Sequence, residues 1–473
     1  MSLQLATNPY NGKKAVVLGL GRSGLAAARL LKRSGAEVTA CDSGESPVLM
    51  ERADLLRKEG IRVLTGTDAA RDSIIHDIAI LSPGIEETAP IVVNVLSKGT
   101  SLVGELELAF TLCPYPIVAI TGTNGKTTTT ELATLMLRGA GLRAASCGNI
   151  GTPMSELLEG GLTWDVLVAE VSSFQLETVR TFHPKVSVWL NLSPNHLDRY
   201  PSMHEYREAK LRIFENQSSD DWAVIPRDTK DLDLSKIKAR RLSFSVTDET
   251  ADVSLFDGLK IHYDGKELLD LSKTRLRGPH NAANVMAAFA TGIALGADTI
   301  RMAAAIREYT PPAHRCEFIA ESDGLRWIND SKATTLDAME QAIRSVQGPL
   351  ILIAGGKDKG FEFSPIAPLV RDRVSIAVLI GEMRHRIARD WAPVRCLAAE
   401  SLQEAVQIAR KEAKSGTTIL FSPGTSSFDM FRDYVERGET FRRLVMEAAT
   451  TMGLPSHKEP HTIPSKNNLL AHQ

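Results

Sequence analysis

Along this chain, short unbroken apolar runs alternate with stretches whose apolar residues recur at helical spacing. KKAVVLGLG runs into glycines, LAAARLLKRSG reads as a helix that stops at Gly35, and EVTACD forms the next run, ending at Asp42. IRVLTG and IAILSPG repeat the strand pattern. Strands separated by helices of this length predict a parallel sheet. A second block begins with PIVAIT and continues through DVLVAEV, KVSVWLNL and DWAVIP. Between Arg241 and Arg277 the texture changes to RLSFSV, ADVSLF, LKIHYDG and KELLDLS, short alternating segments that predict a small antiparallel sheet. The helix NAANVMAAFATGIALGA closes that block. A third block, LRWIND, TTLDAMEQAIRSV, PLILIAGG, SIAVLIG and TILFSPG, is again strand and helix.

Pro114 and Pro116 punctuate the first junction, and Pro311-Pro312 the second. The expectation is an α/β chain of three domains, 1–105, 106–311 and 312–473. Its polar, proline-containing tail LPSHKEPHTIPSKNNLLAHQ is expected to be disordered. A length of 473 residues suits three domains, and 43% hydrophobic content allows sizeable cores.

Charge narrows the functional classes. The net charge is −2 and no long basic run appears, which argues against nucleic-acid binding through phosphate neutralisation. The five cysteines are scattered without a C-x-x-C pair, so neither a disulfide framework nor a cysteine zinc site is expected. The first residues lack a signal-peptide layout, and no apolar stretch reaches the roughly 18 residues of a membrane span. These features predict a cytoplasmic protein with no membrane partner.

The chemistry centres on AITGTNGKTTTTELATLML, residues 119–137. A glycine-lysine turn lies between a strand and a helix, the context of a phosphate-binding loop. The usual pattern G-x-x-x-x-G-K-[ST] is not met, because Ile120 stands where the outer glycine belongs. What is left is a shorter cradle, Gly122-Thr123-Asn124-Gly125-Lys126-Thr127. Backbone N–H groups at the helix start would face an anion, Lys126 would add positive charge, and Thr127 would offer a hydroxyl to Mg²⁺. Glu170 ends the apolar strand DVLVAE, where a buried carboxylate requires a partner or a metal. His196, Asp198 and Lys210 follow the next strand and can face the same crevice. Earlier in the chain, GLGRSG spans Gly19 to Gly24 with Asp42 at the end of the following strand. Alone it suggests NAD, but a glycine turn on a helix N-terminus accepts any diphosphate.

GTNGKTTT, EVSSFQLE, NLSPNHLDRY and YREAKLRIFE together closely resemble the Mur ligases, ATP-dependent amide-bond-forming enzymes of peptidoglycan assembly whose hallmark is this shortened loop. The resemblance covers nearly the whole chain except the C-terminal tail. It implies a Rossmann-like first domain, a P-loop ATPase-like central domain and a Rossmann-like third domain. For ATP it implies Gly122, Thr123, Asn124, Gly125, Lys126, Thr127 and Thr128, with Asn284 on the adenine and Arg315 and Asp330 from the third domain. For Mg²⁺ it implies Thr127, Glu170, His196 and a carbamylated Lys210, whose anionic oxygens suit that hard cation better than an ammonium does. For a UDP-sugar it implies Leu20, Arg22, Ser23, Asp42, Ser43, Ser82, Pro83, Gly84 and Asn149. Lys332 would lie near the reaction centre, and Thr334, Lys359, Ser427 and Phe428 would bind the incoming amino acid.

Within the family, the LSPG turn, SSFQLE and the SSFD helix start resemble members that add D-glutamate to UDP-N-acetylmuramoyl-L-alanine. Where such members commonly read SPACASFDxF, this chain reads SPGTSSFDMF. The resemblance implies a monomer working through an acyl phosphate, with a mobile third domain.

Overall fold

The computed structural model describes residues 8–83, 85–86, 88–149, 151–193, 199–230, 232–276, 278–310, 313–346, 348–358 and 361–450. The expectation of a disordered tail falls on 454–473, outside the described residues. The chain divides into two compact units, Met1–Tyr309 and Thr310–Gln473. The first unit carries two sheets and the second carries one.

The first sheet comprises β1 (Lys14–Leu18), β2 (Glu37–Asp42), β3 (Arg62–Thr65), β4 (Ile78–Leu81) and β5 (Ser101–Gly104), in the order β3-β2-β1-β4-β5. All its pairings are parallel. Chain order reverses between β1 and β4, a switch point that opens a crevice beyond the strands' carboxyl ends. The GLGRSG turn leaves β1 there and leads into the helix Arg22–Arg33. A Cβ at Gly24 would lie 1.8 Å from the Gly19 carbonyl oxygen, so only glycine lets the helix close on the turn.

The second sheet continues with β6 (Ile117–Thr121), β7 (Ala144–Gly148), β8 (Val166–Glu170), β9 (Val186–Trp189), β10 (Trp222–Pro226), β11 (Arg240–Ser245), β12 (Val253–Phe256), β13 (Lys260–Tyr263) and β14 (Lys266–Asp270). Its order is β14-β13-β12-β11-β10-β9-β6-β8-β7. Both faces are packed. Val118, Ile120, Leu132, Val188 and Phe289 build one apolar layer, and Ala119, Phe182, Trp189 and Phe214 belong to the other.

The antiparallel segment read from the sequence is the edge of this sheet. Asp264 at φ +50° and Gly265 at φ +68° form the two-residue turn that joins β13 to β14. RLSFSV departs from the expectation. It is β11, which pairs in parallel with both β10 and β12, because the chain between β10 and β11 crosses over rather than turning back.

The third sheet holds β15 (Glu317–Ser322), β16 (Leu325–Asn329), β17 (Leu350–Gly355), β18 (Ile376–Ile380), β19 (Cys396–Ala398) and β20 (Thr418–Phe421), in the order β15-β16-β20-β17-β18-β19. β15 is the antiparallel edge. Its residues are half-buried or exposed, so it lacks the apolar run that marks its neighbours.

Within the first unit, the helix Glu105–Leu112 carries two buried carboxylates toward the second sheet. Glu105 accepts from the Ser155 amide at 2.8 Å. Glu107 accepts from the amides of Arg180 (2.9 Å), Thr181 (2.7 Å) and Phe182 (3.1 Å). Glu107→Ala leaves those donors without their acceptor, the Phe182 amide in a buried position. We expect a loss of about 3 kcal/mol in denaturant unfolding, with Glu107→Gln losing less because its amide oxygen still accepts.

Candidate functional site

β6 delivers the chain into the cradle, and the helix Lys126–Gly139 leads out of it. Gly125 caps that helix at φ +82°, and a Cβ there would meet Asn284 Oδ1 at 2.4 Å. The same Oδ1 accepts from the Thr129 hydroxyl at 3.2 Å. Asn284 therefore braces the cradle, and its side chain is directed at the loop. On the other flank, Asn191 Oδ1 accepts from the amides of Thr123 (3.1 Å) and Asn124 (2.9 Å), while its Nδ2 donates to the Asn124 carbonyl (3.1 Å). Thr123 is tied further by its hydroxyl to the Ser193 backbone.

Lys126 lies along the loop, Nζ donating to the carbonyls of Gly122 (3.0 Å) and Thr123 (2.8 Å). Thr128 follows in the first helical turn, half-buried. Early in this helix, backbone N–H groups have no carbonyl four residues back within the helix, which suits a phosphate.

Next to the cradle, Glu170 ends β8 and is 3% exposed. Its carboxylate accepts from the Thr127 hydroxyl (2.7 Å) on one oxygen and from Asn149 Nδ2 (2.8 Å) on the other. Asn149, expected near the sugar, thus touches the carboxylate expected to hold metal. Lys210, on the helix Met203–Leu211, is 1% exposed, and its Nζ donates to the Gly122 carbonyl at 3.0 Å. Burial, aided by the Lys126 ammonium, pulls the Lys210 pKa well below its ordinary value, with Glu170 opposing. The shift favours the neutral amine. His196 and Asp198 lie outside the described residues. Among the described residues no cluster of three or more His, Cys, Asp or Glu is poised for a metal.

In the first sheet's crevice, Asp42 uses both oxygens to shape the glycine turn, accepting from the amides of Leu20 (2.7 Å) and Gly44 (2.8 Å). Ser82 is buried and donates to the Gly19 carbonyl at 3.1 Å. Arg22 makes a bidentate pair with Glu156 (both contacts 2.8 Å) and a bond to the Gly151 carbonyl (2.5 Å). Ser23 is half-buried, Ser43 and Pro83 are exposed, and Gly84 lies outside the described residues.

In the second unit, Asp330 and Lys332 follow β16, and Ser427 lies beyond the neighbouring β20. Asp330 is buried, accepting from the Ser422 hydroxyl (2.7 Å) and the Cys316 amide (3.0 Å). Burial pushes its carboxyl up to about 6, against those hydrogen bonds, which pull it down. The Lys332 amide donates to the His314 carbonyl (2.9 Å), linking this turn to the one that carries Arg315. The side chains of Arg315 and Lys332 are exposed, Thr334 is half-buried and Ser427 is buried. Phe428 is 65% exposed, and Lys359 lies outside the described residues.

The sequence reading passed over Asn191, Thr129 and Ser422. Asn191 stands just past the end of the KVSVWL run, the position from which a side chain reaches a neighbouring loop, and that was the available signal.

Family models match the chain in three successive parts. They are the Mur ligase MurD-like N-terminal domain over 13–104, the Mur ligase middle domain over 120–292, and the Mur ligase glutamate ligase domain over 314–424. The chain is 40% identical to the UDP-N-acetylmuramoylalanine–D-glutamate ligase of Geobacter metallireducens, covering 93% of this chain and 98% of that one. It is 43% identical to the enzyme of that name from Pelobacter propionicus, covering 91% and 98%. Among solved structures, the UDP-N-acetylmuramate–alanine ligase of Thermotoga maritima superposes with a TM-score of 0.53 at 20% identity, covering 92% of this chain and all of that one. The MurF ligase of the same organism, solved with ADP, gives 0.51 at 14% identity, covering 94% and 98%. These two likenesses concern the fold. Among the described residues no helix is long and apolar enough to cross a membrane.

Asp330 generates a pH prediction. Its ordinary value is 3.8 and its folded value about 6, so between them the folded chain holds a proton that the unfolded chain has released. Asp330's own contribution to stability is therefore fullest below that window and falls away as pH rises through it. Asp330→Asn should remove that fall, roughly 3 kcal/mol, seen as a flatter plot of denaturant midpoint against pH.

Proposed function

The chain belongs to the Mur ligase family, in the branch of UDP-N-acetylmuramoylalanine–D-glutamate ligases, and on that premise we propose how its residues join D-glutamate to UDP-N-acetylmuramoyl-L-alanine with ATP cleavage. The observation that carries the proposal is the assembly of cradle, Thr127, Glu170 and Lys210 at the carboxyl ends of β6 and β8.

A carboxylate and an amine do not condense in water, so the acid is activated first. The terminal alanine carboxylate attacks the γ-phosphorus of ATP, the bond to the β-phosphate oxygen breaks, and ADP leaves behind an acyl phosphate. The amine of D-glutamate then attacks the acyl carbon, and the tetrahedral intermediate expels phosphate as the nitrogen gives up a proton. The cradle's backbone N–H groups receive the phosphate oxygens, and Lys126 turns from the Gly122 and Thr123 carbonyls to offset the growing charge. Arg315, Asp330 and Lys332 are assigned to the nucleotide and the transferring phosphate. Thr334, Lys359, Ser427 and Phe428 are assigned to D-glutamate.

The donor set beside the cradle fits Mg²⁺. A buried carboxylate and a hydroxyl 2.7 Å apart offer oxygens to a hard cation, and His196 is assigned to complete the set. When bound, the ion supplies positive charge against the triphosphate. Lys210 as an ammonium would repel such a cation, and its depressed pKa favours the nucleophilic neutral nitrogen. Addition of that nitrogen to carbon dioxide, with loss of a proton, gives a carbamate with anionic oxygens.

At the first sheet, the UDP-sugar diphosphate is placed on the turn of Leu20, Arg22 and Ser23, with Ser43, Ser82, Pro83 and Gly84 around it. Asp42 acts by shaping that turn. Arg22 reaches the diphosphate by exchanging Glu156 for it. The reading is of a cytoplasmic monomer.

ADP formation should require both UDP-N-acetylmuramoyl-L-alanine and D-glutamate. Turnover with L-alanine or diaminopimelate in place of D-glutamate, or with a folate in place of the UDP-sugar acid, and none with D-glutamate, refutes the substrate assignment. Lys210→Ala should lower kcat about 100-fold or more with an unchanged circular dichroism spectrum, and undiminished turnover would remove Lys210 from the site.

A further inference from the structure

Arg437 has no part in the reaction scheme above, yet it occupies the centre of the second unit's site. It stands near the start of the helix Tyr434–Thr450 and is 1% exposed. Its Nε donates to the Ser331 hydroxyl (3.1 Å), and its Nη2 donates to the carbonyls of Ser331 (2.9 Å) and Thr425 (3.2 Å). Ser331 lies between Asp330 and Lys332, and Thr425 lies two residues before Ser427. One guanidinium therefore spans the turn assigned to the nucleotide and the turn assigned to the amino acid.

A third turn abuts the same group. A Cβ on Gly356, which follows β17, would lie 2.6 Å from Thr425 Oγ1 and 3.3 Å from Arg437 Nη1. Both of those atoms are buried with no hydrogen-bond partner among the described residues.

Simple core filling is a poor account of this arginine. It forms no ion pair among the described residues, although Asp429 and Asp330 are near enough to favour its charge. Burying a guanidinium without a paired carboxylate is costly, and an apolar side chain would fill the volume more cheaply. What an apolar chain cannot do is hold two turns at once through a planar fork of donors.

We propose that Arg437 is a positioning residue for the ligation. It sets the Asp330–Lys332 turn and the Thr425–Ser427 turn in one fixed relation, so that activated phosphate chemistry and incoming amine are aligned together. The inference rests on the ligase reading for the roles of those turns. The tethering itself does not depend on that reading.

The test uses the full chain with Arg437→Lys and Ser331→Ala, the second removing the hydroxyl that accepts from Nε and donates to the Tyr434 carbonyl (2.8 Å). Amide hydrogen exchange should quicken in both variants at Lys332 and Ala333 in one turn and at Met430 and Phe431 beyond the other. KM for ATP and KM for D-glutamate should rise together, about tenfold for Arg437→Lys and less for Ser331→Ala, as expected for losing a hydrogen bond to a charged group. KM for UDP-N-acetylmuramoyl-L-alanine should stay at the wild-type value. Unchanged exchange at either turn overturns the inference, as does one of the two KM values moving without the other. If Arg437→Lys does not fold, the same criteria apply to Ser331→Ala. A wild-type chain that makes no ADP with D-glutamate while both turns still loosen would defeat the ligase reading and leave the tether standing.

Discussion

Everything at the nucleotide end depends on a loop whose backbone is held from outside itself. Gly122 and Gly125 carry no side chain, so Leu190 and Asn284 press into the space where Cβ atoms would sit. Asn191 then fastens two successive amides with one oxygen. A short cradle has fewer internal contacts than a longer one, and its shape here comes from neighbours just past β9 and on the helix Pro279–Ala294. Preorganised donors of this kind need no rearrangement when charge develops on a phosphate.

Around that loop, buried charge is handled case by case. Glu170 is satisfied by a hydroxyl and an amide, which keeps its oxygens fixed at the strand end. At Lys210, burial and the Lys126 ammonium both disfavour the charged form, with Glu170 opposing them. Asp330 lies between these cases, with two hydrogen bonds that only partly offset its burial. Each solution has a chemical consequence: a carboxylate with fixed oxygens, an amine whose charged form is disfavoured, and a carboxyl that titrates near 6.

Much of this was legible in the chain itself. Parallel strands bury both faces, so VLVAE and LILIAG stand out as unbroken apolar runs, and the cradle announces itself by glycines beside a lysine. What could not be read is longer in range. β15 is half-exposed and has no such run. RLSFSV alternates like a hairpin strand, but its pairing is decided by a crossover elsewhere. The resemblance implies a place for Asn149 by the UDP-sugar, and only the fold shows its amide donating to Glu170. Arg437 carries no motif at all, and only folding shows two turns meeting at its guanidinium.

The contact between Gly125 and Asn284 ties the mutational fates of two positions far apart in sequence. Enlarging the first is blocked by the second, and shrinking the second to make room strands the Thr129 hydroxyl inside the protein. Even a matched pair of changes meets the positive φ at Gly125, which a branched replacement resists. A single change at either position therefore weakens the protein before the other can compensate.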